Sequence, residues 1–186
     1  MSKPRILGGE ARGRELDTPR SGTRPTPAKL REAIFNSLQF RAGSFLDLFS
    51  GSGAMGLEAA SRGWEATSVE LARPAAAVIK GNARRLGLQL TVITGDALKF
   101  ARDNSGFDVV FASPPYTVPG FEEFYYDILE AGPAAPGGLY LLQHPSSIVL
   151  AGTRLPAWAE VRRRVYGNNT ISEIAAPEAA DSAAGN

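Results

Sequence analysis

The 186-residue chain contains no cysteine and a single histidine. Disulfide bonds and thiolate metal sites are therefore excluded, and a histidine-based metal centre is disfavoured because such centres use several imidazoles. No apolar run in the chain approaches the roughly 18 residues of a membrane span, and the N-terminus MSKPRILGGE lacks the apolar stretch of a signal peptide. We therefore expect a cytoplasmic protein without a metal and without a membrane partner.

Net positive charge is also scarce, but it is concentrated near the N-terminus. The net charge is +1, yet residues 1–31 contain eight lysines and arginines against three acidic residues. A basic segment ahead of a near-neutral body favours a polyanion, such as nucleic acid, as a partner. A solvated, flexible terminus would give the same charge distribution, so charge alone does not decide between the two interpretations.

The central part of the chain alternates strand-like and helix-like segments. Strands are predicted at 44–49, 66–70, 90–94, 107–112 and 138–143. Helices are predicted from Gly53 to about 62 and at 74–86, 97–103 and 121–131. This alternation predicts an α/β fold with a parallel sheet and helices on both faces. Two further strand-like runs, on either side of GNN at 167–169, predict an antiparallel C-terminal hairpin.

The two ends of the chain have different patterns. RILGGEARGREL is typical of a small hairpin that turns at its glycines. Thr26 and Pro27 predict the N-cap and first residue of an amphipathic helix over 27–39. The predicted organisation is a basic extension or hairpin over 1–25, a catalytic domain over 26–176 and a disordered tail over 177–186.

A glycine-rich loop, GSGAMG at 51–56, follows the first predicted strand and opens a helix. Together with Glu70, 19 residues after Gly51, it satisfies the G-x-G-x-x-G pattern of a dinucleotide site. An NAD-dependent dehydrogenase is therefore one interpretation. The loop does not choose NAD by itself, because close backbone approach and an acid for a ribose diol suit any adenosine-bearing cofactor.

Three further features favour an amine-bearing, cationic cofactor over a pyrophosphate. Asp47 lies inside a buried strand, where a carboxylate needs a cationic or hydrogen-bonding partner. Asp96 follows the third strand and can accept a hydrogen bond from an adenine amino group, although a helix cap is an equal alternative. The segment SPPY, residues 113–116, ends the fourth strand, where open α/β sheets place their ligands.

The set of DLFSGSG, the acids and SPPY resembles S-adenosylmethionine-dependent methyltransferases of the class I, Rossmann-like fold. The resemblance implies a seven-stranded, mostly parallel sheet, S-adenosylmethionine as cofactor and methylation of an exocyclic base amine. It gives a cofactor-binding role to Thr26, Asp47, Phe49, Ser50, Gly51, Ser52, Gly53, Gly56, Glu70, Leu71, Asp96, Ala97 and Ser113. It gives the catalytic role to Ser113, Pro114, Pro115 and Tyr116.

The SPPY segment has a chemical interpretation in such an enzyme. An exocyclic amine is a weak nucleophile because its lone pair is delocalised into the base. The Ser113 side chain and the Pro114 carbonyl can accept its N–H groups, while the prolines fix the direction of that carbonyl. Tyr116 can stack on a flipped base. The structural alternative is a Pro-Pro turn with a packed tyrosine.

A closer resemblance covers residues 4–175. RILGGEARGREL, RPTPAKLREAIFNSL, LDLFSGSGAMGLEAASRG and YGNNTISEI are similar to blocks of the bacterial RsmD family of 16S rRNA guanine-N2 methyltransferases. The family implies guanine 966 of 16S rRNA, in the 30S subunit or an assembly intermediate, as substrate, and a monomeric enzyme. It places Arg24, Thr26 and Asn36 beside cofactor and substrate, and it places phosphate contacts at Arg5, Arg12, Arg14 and Arg24.

Ser113 departs from this family, which usually has Asp or Asn at that position. Serine is common among cytosine-N4 methyltransferases, so an adenine-N6 or cytosine-N4 methyltransferase remains an alternative. A cofactor-binding 30S assembly factor with decayed catalysis is a second alternative. His144 is interpreted as structural, and Gln143 has no role that the sequence assigns.

Overall fold

Seven strands form one sheet in the computed structural model, which describes residues 3–19, 26–38, 43–152 and 154–179. The strands are β1 (Ser44–Leu48), β2 (Glu65–Glu70), β3 (Leu90–Thr94), β4 (Phe107–Ala112), β5 (Ala134–Pro145), β6 (Arg162–Tyr166) and β7 (Asn169–Ala175). Their order is β3-β2-β1-β4-β5-β7-β6. The first five strands are parallel, while β7 runs antiparallel to β5 and β6. The predicted sheet with a C-terminal hairpin is confirmed.

Helices cover both faces of this sheet, as predicted. They are α1 (Ala28–Ser37), α2 (Ala54–Ser61), α3 (Arg73–Leu86), α4 (Ala97–Asp103) and α5 (Glu123–Ala131). One apolar core contains Leu30, Phe45 and Leu57 and lies beneath α1 and α2. The other contains Val110 and Ile128 and lies beneath α4 and α5. Within the described ranges, no helix has the length and apolar character needed to cross a membrane.

Most predicted boundaries agree with the structure within a residue or two, but β5 is longer than expected. It runs from Ala134 to Pro145, beyond the predicted 138–143 at both ends. Its register with β4 shifts between the pairs Phe107–Ala134 and Val109–Leu139, so the intervening residues bulge. The bulge contains Pro136 and two glycines, a composition typical of a turn. The start of the strand was therefore not predicted.

Most of the predicted tail, residues 180–186, lies outside the described residues.

The predicted N-cap of α1 is wrong. Pro27 occupies the cap position, the helix begins at Ala28, and no side chain caps it. The Thr26 hydroxyl instead donates a hydrogen bond to the Gln143 side chain, 3.1 Å away. A tertiary contact therefore replaces the local interaction that the sequence pattern favours.

The N-terminal residues form the predicted hairpin. Arg5 and Glu15 form an antiparallel bridge, and Ile6 N donates to Arg14 O at 3.0 Å. Ile6 and Leu16 are buried in the same core as α1 and α2. A flexible terminus is thus excluded for residues 3–19. The predicted division of the chain into an N-terminal extension over 1–25 and a catalytic domain over 26–176 is not a division of packing, because the hairpin shares its core with α1 and α2. It remains a prediction about function.

Buried charged groups hold this hairpin against α1 and α2. Glu58 is fully buried; it accepts a hydrogen bond from Leu7 N at 2.8 Å and pairs with Arg62 at 2.8 Å. The Arg31 guanidinium is also buried and donates to the carbonyls of Thr26 and Arg5, at 2.8 and 2.6 Å. Burial lowers the pKa of Arg31, while nearby Glu58 opposes that shift.

Candidate active site

The predicted site residues meet at one edge of the sheet. The loop at 51–53 follows β1, Glu70 ends β2, Asp96 follows β3 and Ser113 follows β4. Because these strands are parallel neighbours, their carboxyl ends lie side by side. The structure therefore brings the glycine loop, the acids and SPPY together, as the sequence predicts.

The glycine loop depends on unusual backbone angles. Gly51 and Gly53 have φ values of 55° and 73°, in the left-handed region. A side chain at Gly53 would also place its Cβ 2.7 Å from an Ile79 carbon. Phe49 has φ 59°, which is uncommon for a non-glycine residue, and its ring packs 5.3 Å from that of Phe124. Strained backbone of this kind is concentrated at ligand sites.

Glu70 fixes the loop to the end of β2. One carboxylate oxygen accepts a hydrogen bond from Gly51 N at 2.7 Å, and the other accepts one from Ala72 N at 2.8 Å. The residue is 8% exposed. Each carboxylate oxygen can accept a further hydrogen bond, so Glu70 can support the loop and still bind a hydroxyl donor.

Asp47 lies behind the loop rather than on its outer surface. Its carboxylate is 1% exposed and accepts from Gly56 N at 3.1 Å and from Ser68 Oγ at 3.3 Å. The protein itself therefore supplies the hydrogen-bonding partners that the sequence requires. Burial raises the pKa of Asp47 to about 7, while the hydrogen bonds to Gly56, Ser50 and Ser68 oppose that shift.

This raised pKa predicts a specific pH dependence of stability. Since the folded-state pKa of about 7 lies above the ordinary value of 3.8, the folded protein binds more protons within that window. The free energy of unfolding should therefore fall as pH rises from about 4 to 7, by up to about 1.4 kcal/mol per pH unit. Asp47→Asn should remove this contribution.

Urea unfolding of both proteins across this pH range measures the effect. The difference between wild type and Asp47→Asn isolates the carboxylate, because all other titrating groups are shared. Parallel stability profiles for the two proteins would contradict the prediction.

Asp96 and its neighbours form the adjacent part of the edge. Asp96 caps α4 by accepting from Lys99 N at 2.7 Å, so the capping interpretation is confirmed. Its cofactor role stays a prediction. Ala97 is buried, whereas Leu71, after β2, leaves 70% of its surface exposed. An exposed apolar side chain beside Glu70 is of a kind that can pack against the flat face of a base.

The SPPY segment is held by its tyrosine. The Tyr116 hydroxyl donates to the main-chain carbonyl of Gln143 at 3.2 Å, and its ring lies 5.3 Å from that of Phe121. Burial raises the pKa of Tyr116, while hydrogen bonds with the Ser113 and Gln143 groups oppose the shift. Pro114 is buried, and Ser113 and Tyr116 are half-buried, so the segment is anchored but accessible.

Gln143 is the site residue that sequence reasoning missed. Its side chain is 5% exposed; it accepts from Thr26 and donates to Asn169 Oδ1 at 3.3 Å. Its carbonyl also accepts from Tyr125. The one available signal was an amide at the end of an apolar strand, where a buried polar group needs partners.

His144 is structural, as expected. It is fully buried, and its ring nitrogens lie 2.8 Å from Ser172 Oγ and 2.9 Å from the Pro145 carbonyl. Burial lowers the pKa of His144, which favours the neutral ring. A group without solvent exposure is not available to touch RNA.

Arg12 and Arg14, two of the predicted RNA-contacting residues, do not lie at this edge. Arg12 and Arg14 are exposed on the hairpin, whose Glu10 N donates to Ser61 O at the far end of α2. That end is about 10 Å along the helix from the glycine loop. Arg5 is exposed but pairs with Glu15, and Arg24 lies outside the described residues. Asn36 is exposed about 15 Å along α1 from Thr26.

In the described part of the chain, Leu71 is exposed and Ser113 and Tyr116 are half-buried at this edge. Two clefts, of about 500 and 370 Å³, lie elsewhere: between the end of α3 and β3, and beside Trp158. Neither is lined by the glycine loop or by SPPY. We take the edge as the site, because the strained loop and the converging polar groups occur there. Within the described part of the chain, no three acidic or histidine side chains group as metal ligands.

This sheet order, with a glycine loop after β1 and an acid ending β2, defines the class I methyltransferase fold. A methyltransferase of Pyrococcus furiosus, 22% identical, has the same fold with a TM-score of 0.69, covering 89% of each chain.

The chain belongs to the RsmD family. The model of that family, described as conserved hypothetical protein 95, matches residues 4–175. The ribosomal RNA small subunit methyltransferase D of Escherichia coli K12 is 35% identical over 170 residues, which cover 88% of this chain and 85% of the relative. A hypothetical protein of Thermus thermophilus is 41% identical with a TM-score of 0.82, covering 95% of this chain and 99% of that one.

Proposed function

We propose that this protein transfers a methyl group from S-adenosylmethionine to the exocyclic N2 amine of a guanine in small-subunit ribosomal RNA. The observation that carries the proposal is the anchored SPPY segment beside the glycine loop. The substrate is supported by the E. coli relative, which is named as a small-subunit rRNA methyltransferase. The family site, guanine 966 of 16S rRNA, is the proposed target.

The residues at the edge fit S-adenosylmethionine. Glycine backbone with positive φ leaves room for close approach, Glu70 can accept from ribose hydroxyls, and exposed Leu71 can cover an adenine face. Asp96 and Ala97 would border the adenine. The remaining proposed cofactor contacts are Thr26, Phe49, Ser50, Ser52 and Ser113. The cofactor supplies an electrophilic methyl group. Asp47 and Gly56 act indirectly, by holding α2 against the sheet.

The protein's own residues would orient the amine. Ser113 Oγ and the Pro114 carbonyl accept the amine N–H groups, which fixes the nitrogen and localises its lone pair. Pro115 stiffens the turn, and the half-buried Tyr116 ring offers a surface for a flipped base. Such orientation can lower a barrier by roughly 7–11 kcal/mol. The reaction requires no metal and no covalent nucleophile.

Ser113 is the residue that favours a second candidate. A hydroxyl is uncharged and shorter than the Asp or Asn usual in the family, so it draws less strongly on the amine. An adenine-N6 or cytosine-N4 methyltransferase therefore remains the alternative, with a catalytically weak 30S assembly factor behind it. Membership in a methyltransferase family sets the dehydrogenase interpretation aside.

Product analysis separates these candidates. Labelled S-adenosylmethionine is supplied with 30S subunits from cells lacking the modification, and the digested RNA is analysed by mass spectrometry. We expect N2-methylguanosine. A different methylated nucleoside would reassign the base, and cofactor binding without product would favour the assembly factor. In that last case Ser113→Asp should create activity.

The RNA is proposed to extend from the edge to the hairpin, where Arg12 and Arg14 would contact phosphates. Arg5 is less available because Glu15 pairs with it, and Arg24 is a further proposed contact. The protein would act as a monomer on the 30S subunit or an assembly intermediate. In this proposal residues 1–25 bind RNA, and residues 26–176 carry catalysis.

The hairpin contact predicts a change in salt dependence. Replacing Arg12 and Arg14 together by alanine should reduce the slope of log K against log salt by about two, because two phosphate contacts are lost. RNA binding measured between low and physiological salt gives the slope. Exposed Arg84 and Arg102, changed together to alanine, are the matched control. Equal slopes for the two double variants would remove the hairpin from the RNA path.

A further inference from the structure

Three polar side chains form a row across adjacent strands beside the catalytic segment. Ala112 pairs with Leu142, so Ser113 follows β4 next to Gln143 on β5. Pro145 pairs with Asn169, the first residue of β7. Because side chains alternate along a strand, Ser113, Gln143 and Asn169 share the face of the sheet that buries Phe111, Leu141 and Ile171.

Two hydrogen bonds link Thr26, Gln143 and Asn169 in series, with each residue donating to the next. The Thr26 hydroxyl donates to Gln143 Oε1 at 3.1 Å, and Gln143 Nε2 donates to Asn169 Oδ1 at 3.3 Å. Since Asn169 uses its oxygen as the acceptor, its amide nitrogen faces away from Gln143. The Gln143 side chain is 95% buried and cannot readily turn. The row therefore determines which end of the Asn169 amide is presented outward.

The outward Asn169 Nδ2 has donor capacity that the described residues do not use. No described residue accepts a hydrogen bond from it, and Asn169 is only half-buried. It lies two strands from Ser113 and two residues further along the sheet, roughly 12 Å between Cα atoms by ordinary strand spacing and rise. That separation is suited to a purine held between the two side chains.

We propose that Asn169 recognises the C6 carbonyl oxygen of the target guanine, with Gln143 as the positioning residue that keeps the Asn169 donor facing the base. Guanine presents an acceptor at C6, whereas adenine presents an amino group there. Asn169 would thus favour guanine and oppose adenine. This inference rests on the proposed function and adds to it the residue that selects the base.

The test uses two guanine analogues that keep the C2 amine. One is 2-aminopurine, which has hydrogen at C6, and the other is 2,6-diaminopurine, which has an amino group there. 16S rRNA ligated to carry guanine or either analogue at the target position is reconstituted into 30S subunits. Methyl transfer to each substrate is then measured as kcat/KM.

We expect wild type to prefer guanine over 2-aminopurine by about tenfold and to act more slowly still on 2,6-diaminopurine. Asn169→Ala should treat the two analogues equally. Asn169→Asp, which replaces the donor with an acceptor, should prefer 2,6-diaminopurine to 2-aminopurine. Gln143→Glu should have the same reversed preference, because Asn169 would turn to donate to the carboxylate.

The neighbouring Asn168→Ala is the matched control and should keep the wild-type order, since Asn168 is exposed and its backbone carbonyl makes the contact to Ser146. Affinity for S-adenosylhomocysteine and the melting temperature verify that each variant is folded. An Asn169→Ala variant that keeps the wild-type order overturns the inference while leaving the proposed function intact. A wild-type protein that produces no N2-methylguanosine overturns both.

Discussion

Replacing Gly56 with alanine is expected to lower the free energy of unfolding by about 3 kcal/mol and to weaken S-adenosylhomocysteine binding at least tenfold. A Cβ at this position would lie 2.0 Å from Ser68 Oγ and 3.3 Å from Asp47 Oδ2. Both neighbours are buried, so α2 would have to move away from the sheet. That movement would also shift the glycine loop, because the loop leads directly into α2. Urea unfolding and calorimetric titration measure the two effects.

Two further variants identify the cause. Gly81→Ala is the control, because Gly81 lies exposed in α3 and a Cβ added there would meet no atom within 4 Å; it should be neutral or stabilising. Ser68→Ala removes the clashing oxygen, so Gly56→Ala combined with Ser68→Ala should recover much of the lost stability. A double variant no more stable than Gly56→Ala alone would show that the Ser68 contact is not responsible.

Tyr116→Ala is expected to reduce kcat/KM for RNA methylation by about 100-fold. The change removes a stacking surface, typically contributing about 1–3 kcal/mol per base, and releases the SPPY segment from its anchor on Gln143. Misplacement of catalytic groups adds to this loss. Cofactor affinity should be unchanged, because Tyr116 is not among the proposed cofactor contacts.

Tyr116→Phe separates the ring from the hydroxyl. It loses the 3.2 Å hydrogen bond to the Gln143 carbonyl and the hydrogen bond with Ser113 but keeps the ring, so activity should fall by about fivefold. Tyr126→Ala, in α5 and packed against Arg154, is the control and should retain wild-type activity. The proposed role of the ring fails if Tyr116→Ala retains more than half of the activity.

Local pattern was sufficient for the architecture. The strands at 90–94 and 107–112 match their predictions because each is rich in β-branched or aromatic residues and is followed directly by glycine or serine. The glycine loop and SPPY were also placed correctly, because each follows a buried strand. Parallel pairing then brings the strand ends together without further information.

Contacts between distant residues were not predictable in the same way. Thr26 reads as a helix cap, yet it bonds Gln143, 117 residues away. Asp47 reads as a carboxylate awaiting a ligand, yet Gly56 and Ser68 already donate to it. In both cases the sequence shows the need for a partner, and only the packed sheet determines which partner meets it.

The docking of the N-terminal hairpin has a consequence for its exchange with solvent. The amides of Leu7 and Ala11 donate to Glu58 and Ser61 on α2, at 2.8 and 3.0 Å. Undocking the hairpin alone would remove a backbone partner from the fully buried Glu58. These two amides should therefore exchange hydrogen for deuterium only as slowly as α2 itself. The basic hairpin and the helix that follows the glycine loop would then open and close as one cooperative unit.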